Sequence, residues 1–160
     1  PATVCGYGPR QRLDLTVNIL TNHAVNNGKI TVFGGSQRRP NIHIDDMVEL
    51  YVRSMDYADD AIDGQIFNAG YENQQVMEIA ETVRDVIGNS VDIAVTSTDD
   101  LRSYHISSER IKLRLGFEPT HSIGQAVEDL AAAFAAGRIP DSLTDPRYFN
   151  VKVMQELGLH

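Results

Sequence analysis

The protein chain has 160 residues, 42% of them hydrophobic, with a formal net charge of −8 and a single cysteine. This length fits one domain or part of a larger one. The acidic balance argues against a nucleic-acid partner, because nucleic-acid-binding proteins carry a basic face or stripe. One cysteine excludes an internal disulfide, and no apolar run has the length of a membrane span. We therefore expect a cytoplasmic protein with no metal site and no membrane partner.

The basic residues are mostly of one kind. Eleven of the fourteen are arginine, and four of these fall in the first quarter of the chain: Arg10, Arg12, Arg38 and Arg39. The planar guanidinium of arginine binds phosphate through two parallel hydrogen bonds, whereas lysine offers a point charge. The early arginines predict a local site for a phosphorylated ligand. The alternative is that codon usage alone explains the excess of arginine.

The chain opens on a short apolar segment, residues 1–5 (PATVC), that predicts a buried strand. A domain seldom begins inside a strand, so we expect the C-terminal part of a longer protein. A Gly6-Tyr7-Gly8-Pro9 loop follows, but Gln11 stands where a dinucleotide-binding fingerprint has its third glycine. We therefore predict that this segment is a loop leading out of the strand, and not a phosphate-binding turn for a dinucleotide.

Residues 13–27 have the three- and four-residue spacing of an amphipathic helix, which Gly28 can end. Asn18 lies near its start. The next stretch, residues 29–46 (KITVFGGSQRRPNIHIDD), predicts a strand, a tight turn and a second strand that carries Arg39. Asp45 then stands where it can cap a helix, and His43 points to the opposite face of the second strand from its apolar neighbours.

The remainder alternates between strand and helix signals. We predict a strand at residues 65–70, a helix at 76–87, a strand at 91–95, a helix from Ser108 to Gly116, and a helix at 122–136. This alternation is typical of the α/β or α+β class. Three or four short strands make a small sheet for this length, which again indicates that a larger sheet lies elsewhere.

The order of these landmarks resembles the extended short-chain dehydrogenase/reductase family, the NAD-dependent nucleotide-sugar epimerases and dehydratases. Five elements over about residues 1–135 carry the resemblance. They are Gly6-Tyr7-Gly8-Pro9, the run Gly35-Ser36-Gln37-Arg38-Arg39, Ile42-His43-Ile44-Asp45-Asp46, Phe67-Asn68-Ala69-Gly70, and Asp100-Leu101-Arg102 with the helix from Ser108 to Phe117.

The resemblance implies a fold and a cofactor. It implies the C-terminal part of a Rossmann-type α/β fold, with edge strands of the parallel sheet and a small mixed α/β substrate-binding lobe. Residues 1–160 would be that C-terminal, substrate-binding portion. The NAD-binding glycine-rich loop and the catalytic Tyr-x-x-x-Lys pair would lie in an N-terminal portion absent from this chain, so the chain contains no catalytic residue and is inactive alone. Tyr148 and Lys152 match that spacing only by coincidence.

Site residues follow from the same resemblance. Arg39 would bind the diphosphate of a nucleoside-diphosphate sugar, and Arg102 would make a second phosphate or ribose contact. Other substrate contacts and one cofactor contact would complete the site: Asn18 with the phosphates, Thr31, Val32 and Phe33 along the base, Thr3 beside the sugar, and Pro1 beside the nicotinamide of NAD.

Three functions are compatible with these observations. The first is an NAD-dependent epimerase or dehydratase that acts on a nucleoside-diphosphate sugar through a transient keto-sugar, as a homodimer in its full length. The second is a non-catalytic module that binds nucleotide sugars or another protein. The third is a related reductase acting on a substrate without a nucleotide, which would leave Arg39 and Arg102 without a diphosphate to bind.

Overall fold

The computed structural model of the protein describes residues 1–99 and 102–158. These residues include five strands: β1 (Thr3–Cys5), β2 (Lys29–Phe33), β3 (Arg38–His43), β4 (Glu72–Gln75) and β5 (Asp92–Thr96). The helices are α1 (Thr16–Asn27), α2 (Ile44–Arg53), α3 (Asp59–Ile62), α4 (Val76–Ile87), α5 (Glu109–Leu115), α6 (Ile123–Ala135) and α7 (Asn150–Glu156), with a 3-10 turn at Pro146–Tyr148. The predicted α/β class is confirmed.

The strands form two separate sheets. One has the order β1-β3-β4, in which β1 and β3 are parallel and β4 is antiparallel to β3. The other is the parallel pair of β2 and β5. The predicted strand-turn-strand at residues 29–46 is therefore not a hairpin, because β2 and β3 diverge after the Gly34–Gly35 turn and pair with different partners.

Sequence periodicity and structure differ most around β4. The strand predicted at residues 65–70 is absent, and the segment is extended with no ladder of its own. The ladder with β3 begins only at Glu72. Strand β4 consists only of polar residues, and all of its side chains are half-buried at the edge of the sheet. It therefore lacks the alternation of apolar and polar residues that predicts a strand. Helix α4 has the predicted bounds, since a capping box at Gln75 and Gly88 define its ends.

The largest hydrophobic core lies between the β2–β5 sheet and three helices, α1, α4 and α6. Val17 of α1, Ile79 and Val83 of α4 and Val127 of α6 pack there against Ile30 and Val32 of β2. A second core lies under β3 and α2, and a third packs Leu13 against α6 and the C-terminal segment. Within the described ranges, none of the helices combines the length and apolar character that crossing a bilayer requires.

Helix α2 is capped differently from the sequence prediction. The N-cap is His43, whose Nδ1 accepts the backbone N–H of Asp45 at 3.1 Å. Asp45 lies in the first turn of the helix and is exposed, so the prediction that it caps the helix is wrong. Asp46 is the buried carboxylate of the pair, and it accepts hydrogen bonds from the loop before α6.

Candidate functional site

A cavity of about 400 Å³ lies between α1 and the face of β2 that points away from the core. One wall is helical, with Thr16, Ile19, Leu20 and His23 on a single face of α1. The opposite wall and the ends come from other elements: Thr31, Phe33, Gln37, Arg39, Val76, Thr98 and Asp14. We call this the α1–β2 cavity.

Strand geometry decides which of the predicted β2 residues face this cavity. Side chains alternate along a strand, so Thr31 and Phe33 share one face and Val32 points the other way. Phe33 is 61% exposed, whereas Val32 is fully buried in the core. Any contact of Val32 with a ligand would therefore be made by its backbone.

Arg39 enters the α1–β2 cavity from the start of β3. Its Nη1 donates a hydrogen bond to the backbone carbonyl of Arg38 at 3.0 Å and another to the carbonyl of Arg102. Its guanidinium carbon also lies 5.5 Å from the centre of the Tyr104 ring. These contacts hold the guanidinium in place at the lining of the cavity, which suits binding of an anion.

Arg102 accepts a hydrogen bond from Arg39 through its backbone carbonyl. The segment after it is also joined to β3, since the Arg38 amide donates to Ser103 Oγ at 2.9 Å and the Tyr104 amide to the Arg38 carbonyl at 3.3 Å. The Arg102 side chain is exposed. Its neighbours Asp100 and Leu101, part of the same sequence element, lie outside the described residues.

A second cavity, of about 270 Å³, lies on the other side of α1. Pro1 and Asn18 line it, together with Gly6, Arg12 and Met47. The side chain of Asn18 holds the loop before the helix: its Oδ1 accepts the Gly6 N–H at 3.1 Å, and its Nδ2 donates to the Arg12 carbonyl at 2.8 Å. Asn18 is therefore 3% exposed and separated from Arg39 by α1.

The two cavities meet at one ion pair. Arg12 lines the second cavity and Asp14 lines the α1–β2 cavity, and their side chains are 3.0 Å apart. Asp14 also accepts the backbone N–H of Asn150 at 3.0 Å, which joins the C-terminal segment to this loop. Thr3 lines neither cavity. It is half-buried in β1 opposite Asn41.

The amides of both glycines in the loop between β1 and α1 are hydrogen-bonded. The Gly6 N–H is bound by Asn18, and the Gly8 N–H by Gln11 Oε1 at 3.1 Å. Gln11 Nε2 in turn lies 3.4 Å from the Gly6 carbonyl. A dinucleotide-binding loop needs free amides to hold a pyrophosphate. The loop therefore does not fit that role, in line with the missing third glycine.

Sequence reasoning missed a buried polar cluster between β3, α2 and α6. The rings of His43 and His121 stack with centroids 4.8 Å apart, and His121 Nδ1 lies 2.8 Å from Asp46 Oδ1. The hydrogen bond with Asp46 raises the pKa of His121, against an opposing effect of partial burial. Burial acts to raise the pKa of Asp46, but its hydrogen bonds with His121 and Thr120 outweigh this effect and lower it.

His43 also faces Asp129, with Nε2 and Oδ2 3.2 Å apart, and Asp45 completes a group whose polar atoms lie within 4.8 Å of one another. A neutral imidazole accepts at one nitrogen only. Because Nδ1 of His43 accepts the Asp45 N–H, a neutral ring carries its proton on Nε2, which lies near the Asp129 carboxylate but makes no hydrogen bond within the described residues. That arrangement disfavours a metal ion at this nitrogen.

Tyr148 and Lys152, which match the Tyr-x-x-x-Lys pattern literally, do not have the chemistry of an acid/base pair. Burial raises the pKa of Tyr148, whereas an acid/base tyrosine needs a lowered one. Lys152 places its Nζ 4.1 Å from the centre of the Phe149 ring. Tyr148 itself packs in the third core with Leu13 and Leu130.

Comparisons with known proteins agree with the landmarks in the sequence. A model of the NAD dependent epimerase/dehydratase family matches residues 1–70. Pal from Bacillus thuringiensis has a similar structure, with 23% identity and a TM-score of 0.70 over 85% of this chain and 44% of that chain. UDP-glucose 4-epimerase from Thermotoga maritima with UDP-glucose is also similar, with 23% sequence identity and a TM-score of 0.70 over 86% of this chain and 45% of that chain.

A third similar structure is UDP-glucuronic acid 4-epimerase from Bacillus cereus in complex with UDP-glucuronic acid and NAD. It has 23% sequence identity and a TM-score of 0.70 over 84% of this chain and 43% of that chain. The chain thus spans less than half the length of each of these structures. The family match over residues 1–70 agrees with the resemblance drawn from the sequence, and the chain has the fold of the Rossmann-type epimerases among these structures.

Proposed function

We propose that this chain is the C-terminal, substrate-binding part of an NAD-dependent epimerase or dehydratase that acts on a nucleoside-diphosphate sugar. One observation carries the proposal: Arg39 is held by two backbone carbonyls at the end of a cavity that also exposes Phe33. A fixed guanidinium beside an exposed aromatic ring suits a ligand with a diphosphate and a base. Two of the similar structures contain UDP-glucose and UDP-glucuronic acid, which supports this ligand class.

The start of α1 favours an anion at the same place. The helix begins at Thr16 with no side-chain cap and no acidic residue in its first turn, so its first amides and the positive end of its dipole are unopposed there. Thr16 lines the α1–β2 cavity. Asp14 opposes an anion, but its carboxylate is engaged by Arg12 and by the Asn150 amide.

The sugar would then extend from the diphosphate toward the second cavity. The Arg12–Asp14 pair lies between the two cavities, and Pro1 and Asn18 line the second one. In this arrangement Pro1 lies beside the nicotinamide. Asn18 is buried on the far side of α1 from Arg39, so it contacts the phosphates only after a local shift of the loop before α1, and Thr3 contacts the sugar only after a local shift of β1.

NAD, when bound, would supply hydride transfer to and from the sugar. The loop between β1 and α1 does not fit the pyrophosphate of NAD, so Pro1 would be this chain's contact and the remaining cofactor and acid/base residues would come from an N-terminal portion. The open edge of β1 supports such a portion. Parallel strands usually lie within larger sheets covered on both faces, and β1 has a partner on one side only.

The proposal is tested with the full-length protein by thermal unfolding in the presence of UDP-glucose. We expect UDP-glucose to raise the Tm, and Arg39→Ala to weaken its affinity roughly tenfold to a hundredfold, since a charge-assisted contact is lost. Arg38→Ala is the matched control, because Arg38 is exposed and lines neither cavity. Equal protection of the Arg39→Ala variant and the wild type would contradict the role of Arg39.

The full-length enzyme would be a homodimer in the cytoplasm, as the resemblance implies, and this chain alone would not catalyse turnover. A non-catalytic binding module predicts the same protection by UDP-glucose but no product in the presence of NAD. A reductase for a substrate without a nucleotide predicts no protection by UDP-glucose at all.

A further inference from the structure

The end of the α1–β2 cavity far from Arg39 carries a histidine to which no role has been assigned. His23 of α1 lines the cavity and is half-buried. Burial lowers the pKa of His23, so the ring is neutral at neutral pH and offers one hydrogen-bond donor and one acceptor. Among residues 1–99 and 102–158, no side chain or backbone group hydrogen-bonds to the ring.

The position of His23 follows from the reversal of the chain at Gly28, which takes the left-handed conformation at the end of α1. Because β2 runs back along α1 from this turn, His23 and Thr31 lie toward the Gly28 end of the cavity. Thr16 lies at the opposite end, about 10 Å away along the helix axis at 1.5 Å per residue.

Arg39 belongs to that opposite end. The side chain of Gln37, two residues before Arg39, donates a hydrogen bond to the Phe33 carbonyl at 3.1 Å. Phe33 is the last residue of β2, at the end far from Gly28. The cavity thus has a cationic end at Arg39 and a neutral end at His23, with the exposed ring of Phe33 and the Thr31 hydroxyl along one wall.

We propose that His23 is a specificity-determining residue of this site, which hydrogen-bonds to the edge of the nucleobase while Arg39 holds the diphosphate at the other end of the cavity. This inference rests on the proposed function. A nucleoside diphosphate has its charge at one end and its hydrogen-bonding base at the other, which is the order of groups along the cavity. A neutral imidazole matches the mixed donors and acceptors of a base edge.

The test compares two ligands by titration calorimetry with the full-length protein: UDP, which carries a nucleoside on its diphosphate, and inorganic pyrophosphate, which has no nucleoside. We expect His23→Leu to weaken UDP binding roughly threefold to tenfold, the range for loss of one neutral hydrogen bond, and to leave pyrophosphate binding unchanged. His23→Asn keeps a donor and an acceptor, and we expect it to retain most of the UDP affinity. Asn27→Leu, on an exposed part of α1 outside the cavity, is the matched control.

Equal loss of UDP and pyrophosphate affinity in both His23 variants, or no loss of either, would overturn the inference. Circular dichroism confirms that each variant is folded before titration, and His23→Ala, which also removes the hydrogen bond, replaces the leucine variant if that variant is not folded. If UDP binds to the wild type and Arg39→Ala weakens it while the His23 variants do not, the inference fails and the proposed function stands. Failure of the wild type to bind either ligand would overturn both.

Discussion

The arginine predicted from the sequence owes its position to partners that the sequence does not predict. Arg39 follows a glycine turn and a second arginine, a local pattern that predicts a phosphate site, and the family resemblance selects Arg39 from this pair. Its position depends on the carbonyl of Arg102 and the ring of Tyr104, which are 63 and more positions away. The same limit explains why His23 was missed: helix periodicity places it on a polar face, and only the reversal at Gly28 makes that face a cavity wall.

Tyr104 should matter to ligand binding through Arg39. A cation over an aromatic face contributes about 0.5–1 kcal/mol at an exposed site, so we expect Tyr104→Ala to weaken UDP-glucose binding about twofold to fivefold. Tyr104→Phe keeps the aromatic face and should bind as the wild type does. If Tyr104 acts only by positioning Arg39, Tyr104→Ala has no further effect on UDP-glucose affinity in an Arg39→Ala background. A double-mutant cycle measures this coupling. A full Tyr104→Ala effect in that background would contradict this role.

At the scale of elements, helices were easier to predict than strands. The bounds of α4 follow from local signals, a capping residue at one end and glycine at the other. By contrast, β4 is polar and forms only because β3 is beside it, so its strand character is set by pairing. Asp46 was read as part of an aspartate pair at the start of α2, but its partners Thr120 and His121 lie 74 and 75 positions away.

The link between α2 and α6 predicts a pH dependence of stability. The pKa of His121 is raised in the folded protein, so its protonated ring stabilises the fold fully below its ordinary value of 6.5. That stabilisation is lost as pH rises through the raised pKa. The pKa of Asp46 is lowered, so its contribution is present above 3.8 and lost as pH falls through the lowered value.

Urea unfolding across this pH range measures the effect. We expect the difference in free energy of unfolding between wild type and His121→Ala to be largest between pH 3.8 and pH 6.5, and to shrink at higher pH. His105→Ala is the control, because His105 is exposed and forms no part of this cluster. A difference that grows from pH 6.5 upward would mean that the neutral ring is the stabilising form.

For the whole molecule, the sequence predicts the fold class and a family resemblance, and the structure adds the two cavities on either side of α1. The separation of the two cavities could not be predicted from the sequence. It depends on β2 and β3 joining different sheets, whereas the turn between them is also compatible with a hairpin. In the proposed complex the diphosphate and base lie on one side of α1 and the sugar on the other, and residues outside this chain supply the NAD site and the acid/base groups.

The most direct test of the central claim is product analysis by NMR after incubation of the full-length protein with NAD and UDP-glucose, and with other nucleoside-diphosphate sugars in parallel. The account predicts that at least one sugar is converted to an epimer or a dehydrated keto-sugar, that Arg39→Ala lowers kcat/KM for it roughly tenfold or more, and that residues 1–160 alone form no product. Binding of nucleotide sugars without any product, in the presence of NAD, would contradict the enzyme and leave a binding module.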